Sequence, residues 1–179
     1  MLDKIFYEEM QHIEHDPLMS RALIFAAFYH GDQKRRGTDL PYVSHPINVA
    51  KSLRLHSPDH PNFKTLYCAA LLHDVLEDTL ATYSMLEFSF GKEIADIVQG
   101  LTNNRGDMPK NEYLMQKCVK MTDDELYIKL LDRLDNISDR PGDGYKKKTA
   151  KLLKHIEENR ALLPLHKDVM TCIYLCLDK

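Results

Sequence analysis

Apolar residues recur at helical spacing along nearly the whole chain, and the breaks between the runs are sharp. The first clear run follows Asp16-Pro17, an N-cap residue with proline at the first helical position. It carries Leu18, Leu23, Ile24, Ala27 and Phe28 and stops at His30-Gly31. The polar, basic stretch GDQKRRGTDLPY separates it from a second run, which starts at Ser44-His45-Pro46 and continues through Ile47, Val49, Ala50 and Leu53. The proline-rich HSPDHPN predicts a break. A third helix starts near Phe63 and leads Leu66, Ala69, Ala70, Leu71 and Leu72 straight into LLHDVLEDT. Two shorter helices are expected at 82–90 and 92–101, split by Gly91. After the polar loop TNNRGDMPKN, a helix near 112–121 runs into TDDE, where Thr122 caps the next helix and Glu125 reaches back. That long helix carries Leu126, Ile128, Leu130, Leu131, Leu134 and Ile137 and ends at SDRPGDG. Two last helices are expected in YKKKTAKLLKHIEENRALL and HKDVMTCIYLCL. No strand-like alternation persists, so the pattern predicts an all-α fold of about eight to ten helices.

Composition narrows the function classes. The 179 residues fit one domain, and only 7 Gly and 8 Pro argue against a turn-dense β fold. A formal net charge of -3 gives no pull towards nucleic acid or anionic membranes, so neither is expected as a partner. No apolar run approaches about 18 residues, which predicts no membrane-spanning helix. The N-terminal MLDKIFYEEMQHIEHD lacks the basic start and apolar middle of a signal peptide, so a cytoplasmic location is expected. Cys68, Cys118, Cys172 and Cys176 are scattered and read as buried, reduced thiols. Cys172 and Cys176 share a helical face, and a zinc or disulfide role for them is the alternative.

Chemistry concentrates in four places. In LLHDVLEDT, a continuing helix would set His73 and Glu77 at i,i+4, Asp74 and Asp78 at i,i+4, and Asp74 and Glu77 at i,i+3. Three acids in one sector repel unless a cation or shifted pKa values relieve them. The alternative is a solvated helix C-terminus, although acids there oppose the helix dipole. Asp132, in IKLLDRLDN, is either buried beside a cation or exposed and paired with Lys129 or Asn136. His45 opens a helix, where histidine is ordinarily structural. Taken together, His45, His73, Asp74 and Asp132 form a two-His, two-Asp donor set suited to Mn, Fe, Zn or Mg. Just upstream of His45, Lys34, Arg35 and Arg36 suit a phosphorylated substrate, or form a solvated basic turn.

These residues, in this order, resemble the HD superfamily of metal-dependent phosphohydrolases, whose H…HD…D pattern is matched by His45, His73-Asp74 and Asp132. The chain is most similar to the RelA/SpoT-type alarmone hydrolase domain and its small stand-alone relatives. RRGTDLPYVSHP, HDVLEDT and IKLLDRLDN match that group's three ordered segments. The likeness covers roughly residues 20 to 140, with the helices of 145–179 beyond it. It implies an all-α HD-domain helical bundle over 1–179 and one divalent ion, usually Mn(II), held by His45, His73, Asp74 and Asp132. It implies hydrolysis of the stringent-response nucleotide guanosine 3′,5′-bispyrophosphate (ppGpp) at its 3′-pyrophosphate. Glu77 and Asp78 match the acids that serve the attacking water and the leaving oxygen. Asn136 matches a residue near the nucleotide, and Arg36, or Arg35 if the loop is gapped, matches one near the base and phosphates. The chain departs from the pattern at Arg36-Gly37-Thr38-Asp39-Leu40, which lacks a lysine expected beside the nucleotide, and at Leu131 and Asp135. With no synthetase segment after the matching region, a hydrolase-only protein is expected. The alternatives are an HD phosphohydrolase for another nucleotide or phosphorylated cofactor, and a non-catalytic nucleotide-binding helical module.

Overall fold

A computed structural model of the chain describes residues 4–139 and 141–178. The N-terminal reading at Met1 to Asp3 and the Arg140 of the expected break lie outside them. The helices are α1 (Lys4–Ile13), α2 (Pro17–His30), α3 (Ser44–His56), α4 (Phe63–Leu72), α5 (Val75–Asp78), α6 (Tyr83–Phe90), α7 (Lys92–Leu101), α8 (Lys110–Lys120), α9 (Asp123–Ser138), α10 (Asp143–Asn159) and α11 (Pro164–Leu177). Ten of these are longer than one turn and α5 is a single turn, in agreement with the all-α expectation. Strand character among the described residues is confined to an isolated antiparallel bridge between Lys34 and Pro41.

The helices pack as two units, Met1–Thr102 and Asn103–Lys179. In the first, α4 is central because its last seven residues, LYCAALL, are apolar on every side, and such a segment must be enclosed by other helices. Leu66 through Leu72 are fully buried, and α2, α3 and α7 pack against them. The α7 stripe Ile94, Ala95, Ile97, Val98 and Leu101 is buried at helical spacing. In the second unit α9 packs on α11 and α10 on α8. The start of α9 follows its capping box: Glu125 N–H donates to Thr122 Oγ1 at 3.2 Å, and Thr122 N–H to Glu125 Oε2 at 2.9 Å. The start of α2 follows Asp16, whose Oδ1 accepts from Leu18 and Met19 N–H.

Helix α1 is an addition to the sequence pattern. Its inward stripe is Phe6, Glu9 and Ile13, with a fully buried acid among the apolar residues. Tyr67 Oη on α4 and Arg54 Nη2 on α3 both donate to Glu9, so the charge is compensated inside the unit. All four cysteines are free; Cys68 and Cys118 are buried as expected, while Cys172 and Cys176 are only half-buried. Among the described residues no helix is long and apolar enough to cross a membrane.

His166, fully buried at the start of α11, makes the second unit sensitive to acid. Its Nδ1 accepts from Leu163 N–H at 3.2 Å and its Nε2 lies 2.9 Å from Asp123 O, so Nε2 carries the proton. Burial pushes its pKa below the usual 6.5 against the raising effect of Asp123. The unfolded chain therefore takes up a proton before the folded one does, and this stability is complete above pH 6.5 and lost as pH falls through the folded value. His30, also lowered by burial, acts in the same direction. The urea midpoint should thus fall between pH 7.5 and pH 5.5, and His166→Gln should reduce that difference while lowering stability at both. An undiminished pH difference in the variant would place the loss elsewhere.

Candidate metal centre

Helical spacing predicts one helix running through His73 to Asp78, and here the structure corrects it. The α4 helix ends at Leu72, Asp74 has φ -102 and ψ -6, and α5 begins afresh at Val75. A side-chain contact of His73 accompanies the break. Its Nδ1–H donates to Ala70 O at 2.8 Å, occupying a carbonyl of the last turn of α4. The break turns two neighbouring side chains to one point, with His73 Nε2 and Asp74 Oδ2 3.1 Å apart. His45, buried in the first turn of α3, brings its Nε2 to 3.6 Å from the same oxygen. The three donor atoms lie within 4.8 Å of one another.

This group fits a metal ion on two grounds. Two ligands each about 2.1 Å from an ion at tetrahedral or octahedral angles stand ~3.0–3.4 Å apart, and the two contacts to Asp74 Oδ2 are close to that range. The second ground is an orphan. With Nδ1 committed to Ala70 O, His73 Nε2 is a lone pair, fully buried and without a hydrogen bond. A buried acceptor without a partner is costly unless something fills it, and a histidine held through its other nitrogen is how metal sites orient imidazole.

Around the group stands a second set of contacts. Tyr42 Oη donates to Asp74 Oδ2 at 2.7 Å and lies 3.2 Å from Asp78 Oδ2. Gln33 Nε2 donates to Asp78 O at 2.8 Å, and Gln33 Oε1 lies 3.0 Å from His30 Nδ1. These residues flank the loop that Gly31 opens. At φ 50 Gly31 takes the left-handed backbone that closes α2, and its N–H caps Ala27 O. Asp78, at the end of α5, has its pKa raised above 3.8 by partial desolvation of the carboxyl and then by Asp74 and Glu77. The Tyr42 hydroxyl and His30 oppose that rise.

The remaining candidates are placed as follows. Glu77 is exposed on α5. Lys34 is exposed and paired with Asp39 at 2.8 Å, Arg36 is exposed and Arg35 is buried. Asp132, on α9 of the second unit, is buried rather than exposed and engages both partners that its sequence offers. Lys129 Nζ is 2.7 Å from Oδ2 and Asn136 Nδ2 2.5 Å from Oδ1.

A family profile described as "HD domain" matches residues 22–158. The chain belongs to the HD domain family. Among known proteins, this HD domain chain is 38% identical over 141 residues to the guanosine-3′,5′-bis(diphosphate) 3′-pyrophosphohydrolase of Aquifex aeolicus, a match covering 76% of this chain and 19% of that protein. It is 34% identical to the corresponding enzyme MESH1 of Xenopus tropicalis, with 68% and 69% of the two chains covered. The chain thus spans about a fifth of the length of the bacterial relative and about two thirds of the vertebrate one. A solved structure described as "A metazoan ortholog of SpoT hydrolyzes ppGpp and plays a role in starvation responses" matches with a TM-score of 0.75 and 26% identity. The match covers 89% of this chain and 96% of that one.

The HD motifs do not single out Tyr42, His30 or Gln33. Tyr42 carried one signal, its position three residues before His45 in PYVSHP. His30 and Gln33 belong to a different segment, and only folding brings them to Asp78.

Proposed function

We propose that this HD domain protein is a divalent-metal-dependent phosphohydrolase that cleaves ppGpp at the 3′-pyrophosphate, giving GDP and pyrophosphate. The observation that carries the reading is the buried, unbonded lone pair of His73 facing the Asp74 carboxylate and His45, in a chain whose relatives are named for this hydrolysis. His45, His73 and Asp74 are assigned as ligands. Asp132 is assigned as the fourth on the H…HD…D order of the motifs. Mn(II) is the proposed ion, and when bound it supplies Lewis acidity that lowers the pKa of a coordinated water.

The chain's own residues do the rest. Asp78, a carboxylate whose pKa is raised, is assigned to accept the proton of the attacking water. Glu77 is assigned to the leaving 3′-oxygen. Lys34, Arg35 and Arg36 are assigned to the phosphates, with Arg36 the most accessible guanidinium, and Asn136 to the nucleotide. A second reading, hydrolysis of a different phosphorylated nucleotide, is favoured by the pairing of Lys34 with Asp39 in the divergent loop.

The test is a panel of nucleotides with Mn(II), scored for pyrophosphate and for inorganic phosphate. Release of pyrophosphate from ppGpp faster than from any other member is expected. A faster alternative substrate would establish the second reading, and binding without cleavage of any member would contradict both.

A further inference from the structure

We propose that Tyr42 is a positioning residue that holds the ligand carboxylate Asp74 and the proton-accepting carboxylate Asp78 in one arrangement, with Gln33 and His30 fixing it from behind; this rests on the metal-dependent reading above. Asp78 needs outside support. It ends a helix of one turn, and an isolated turn does not hold itself in water. The α2–α3 connection grips it twice: Gln33 Nε2 holds its carbonyl at 2.8 Å and Tyr42 Oη approaches its carboxylate at 3.2 Å. The two grips are one piece of structure, because Tyr42 N–H donates to Gln33 O at 2.8 Å.

Behind them His30 is buried, bonded to Gln33, and packed on the Tyr42 ring with centroids 4.7 Å apart. The single Tyr42 proton serves two acceptors. At 2.7 Å it is nearer Asp74 Oδ2, the oxygen that also faces both imidazoles. Removing the hydroxyl takes away the donor that the two carboxylates share, so it should disturb ion binding and proton acceptance together. Removing the Gln33 amide releases the Asp78 carbonyl and the His30 ring but leaves the Tyr42 hydroxyl on Asp74.

Tyr42→Phe keeps the ring on His30 and removes only the hydroxyl. Its Mn(II) affinity, read by electron paramagnetic resonance of free Mn(II), should weaken ~10–100-fold, the usual cost of losing a group that orients a ligand. Its kcat for ppGpp should fall between about tenfold and 10²-fold, with KM little changed. Gln33→Leu should lower kcat while leaving the Mn(II) affinity alone. Tyr83→Phe, which loses a hydroxyl bonded to Asp96, should change neither. Wild-type Mn(II) affinity and kcat in Tyr42→Phe would overturn the proposal. So would a Gln33→Leu variant with unchanged kcat. Failure of the wild-type protein itself to take up Mn(II) would instead defeat the metal-dependent reading on which the proposal stands.

Discussion

Asp74→Ala should bind no Mn(II) and should release pyrophosphate from ppGpp at least ~10³-fold more slowly than the wild-type chain. The expectation follows from the place of one atom. Asp74 Oδ2 is 3.1 Å from His73 Nε2 and 3.6 Å from His45 Nε2, and it accepts the Tyr42 hydroxyl. It supplies the anionic donor of the trio. Without it, two imidazoles face one another and the Tyr42 hydroxyl loses its nearer acceptor. Lewis-acid assistance is worth several kcal/mol of transition-state stabilisation, and each 1.36 kcal/mol is about tenfold in rate. Asp74→Asn keeps the shape and an acceptor for Tyr42 while removing the charge, so it separates loss of the ion from loss of packing. It should also fail to bind Mn(II) while keeping a wild-type circular dichroism spectrum. Undiminished turnover in Asp74→Ala would show that the ligand assignment is wrong.

Asp78→Asn should lower kcat by about 10²–10⁴-fold, the usual range for loss of a general base. The accompanying effect on stability should have the opposite sign. Desolvation, Asp74 and Glu77 raise the Asp78 pKa above 3.8. The folded chain therefore holds that proton more tightly than the unfolded chain does. The corresponding stability is present below pH 3.8 and is lost as pH rises through the folded value. At neutral pH the ionised Asp78 is thus a burden that the fold carries, and the neutral amide relieves it. Thermal unfolding at pH 7 should place Asp78→Asn at or above the wild-type midpoint, while its activity is nearly gone. In the wild type kcat should show an acid limb, and in the variant that limb should vanish. A variant with lower stability and an intact acid limb would make Asp78 structural. Glu77→Gln, measured alongside, should leave the acid limb in place.

Much of this architecture is legible in the sequence where local chemistry decides it. Asp16-Pro17 and the Thr122–Glu125 box start helices through contacts spanning three residues or fewer. LYCAALL is apolar on every side and so belongs inside. The illegible parts depend on partners far along the chain. An acid in the inward stripe of α1 obscures its periodicity, and Glu9 is acceptable there only because Arg54 and Tyr67 fold onto it. The break between α4 and α5 is hidden because HDVLED suits a continuing helix equally well; the His73–Ala70 hydrogen bond accompanies the break. The candidate metal group was readable because His73 and Asp74 are adjacent and His45 sits in a marked motif. Asp132 could be read as buried or exposed, and it is buried while holding both Lys129 and Asn136. Tyr42, Gln33 and His30 carry no chemical signature as single letters. Three hydrogen bonds from Tyr42 and Gln33 converge on Asp74 and Asp78, and His30 backs Gln33.

The most direct test titrates Mn(II) into chelator-stripped protein and follows bound ion and pyrophosphate release from ppGpp in the same samples. No release is expected without the ion, and the rate should rise with occupancy and saturate at one ion per chain. Full turnover in the stripped protein, with no ion bound, would contradict the metal-dependent reading.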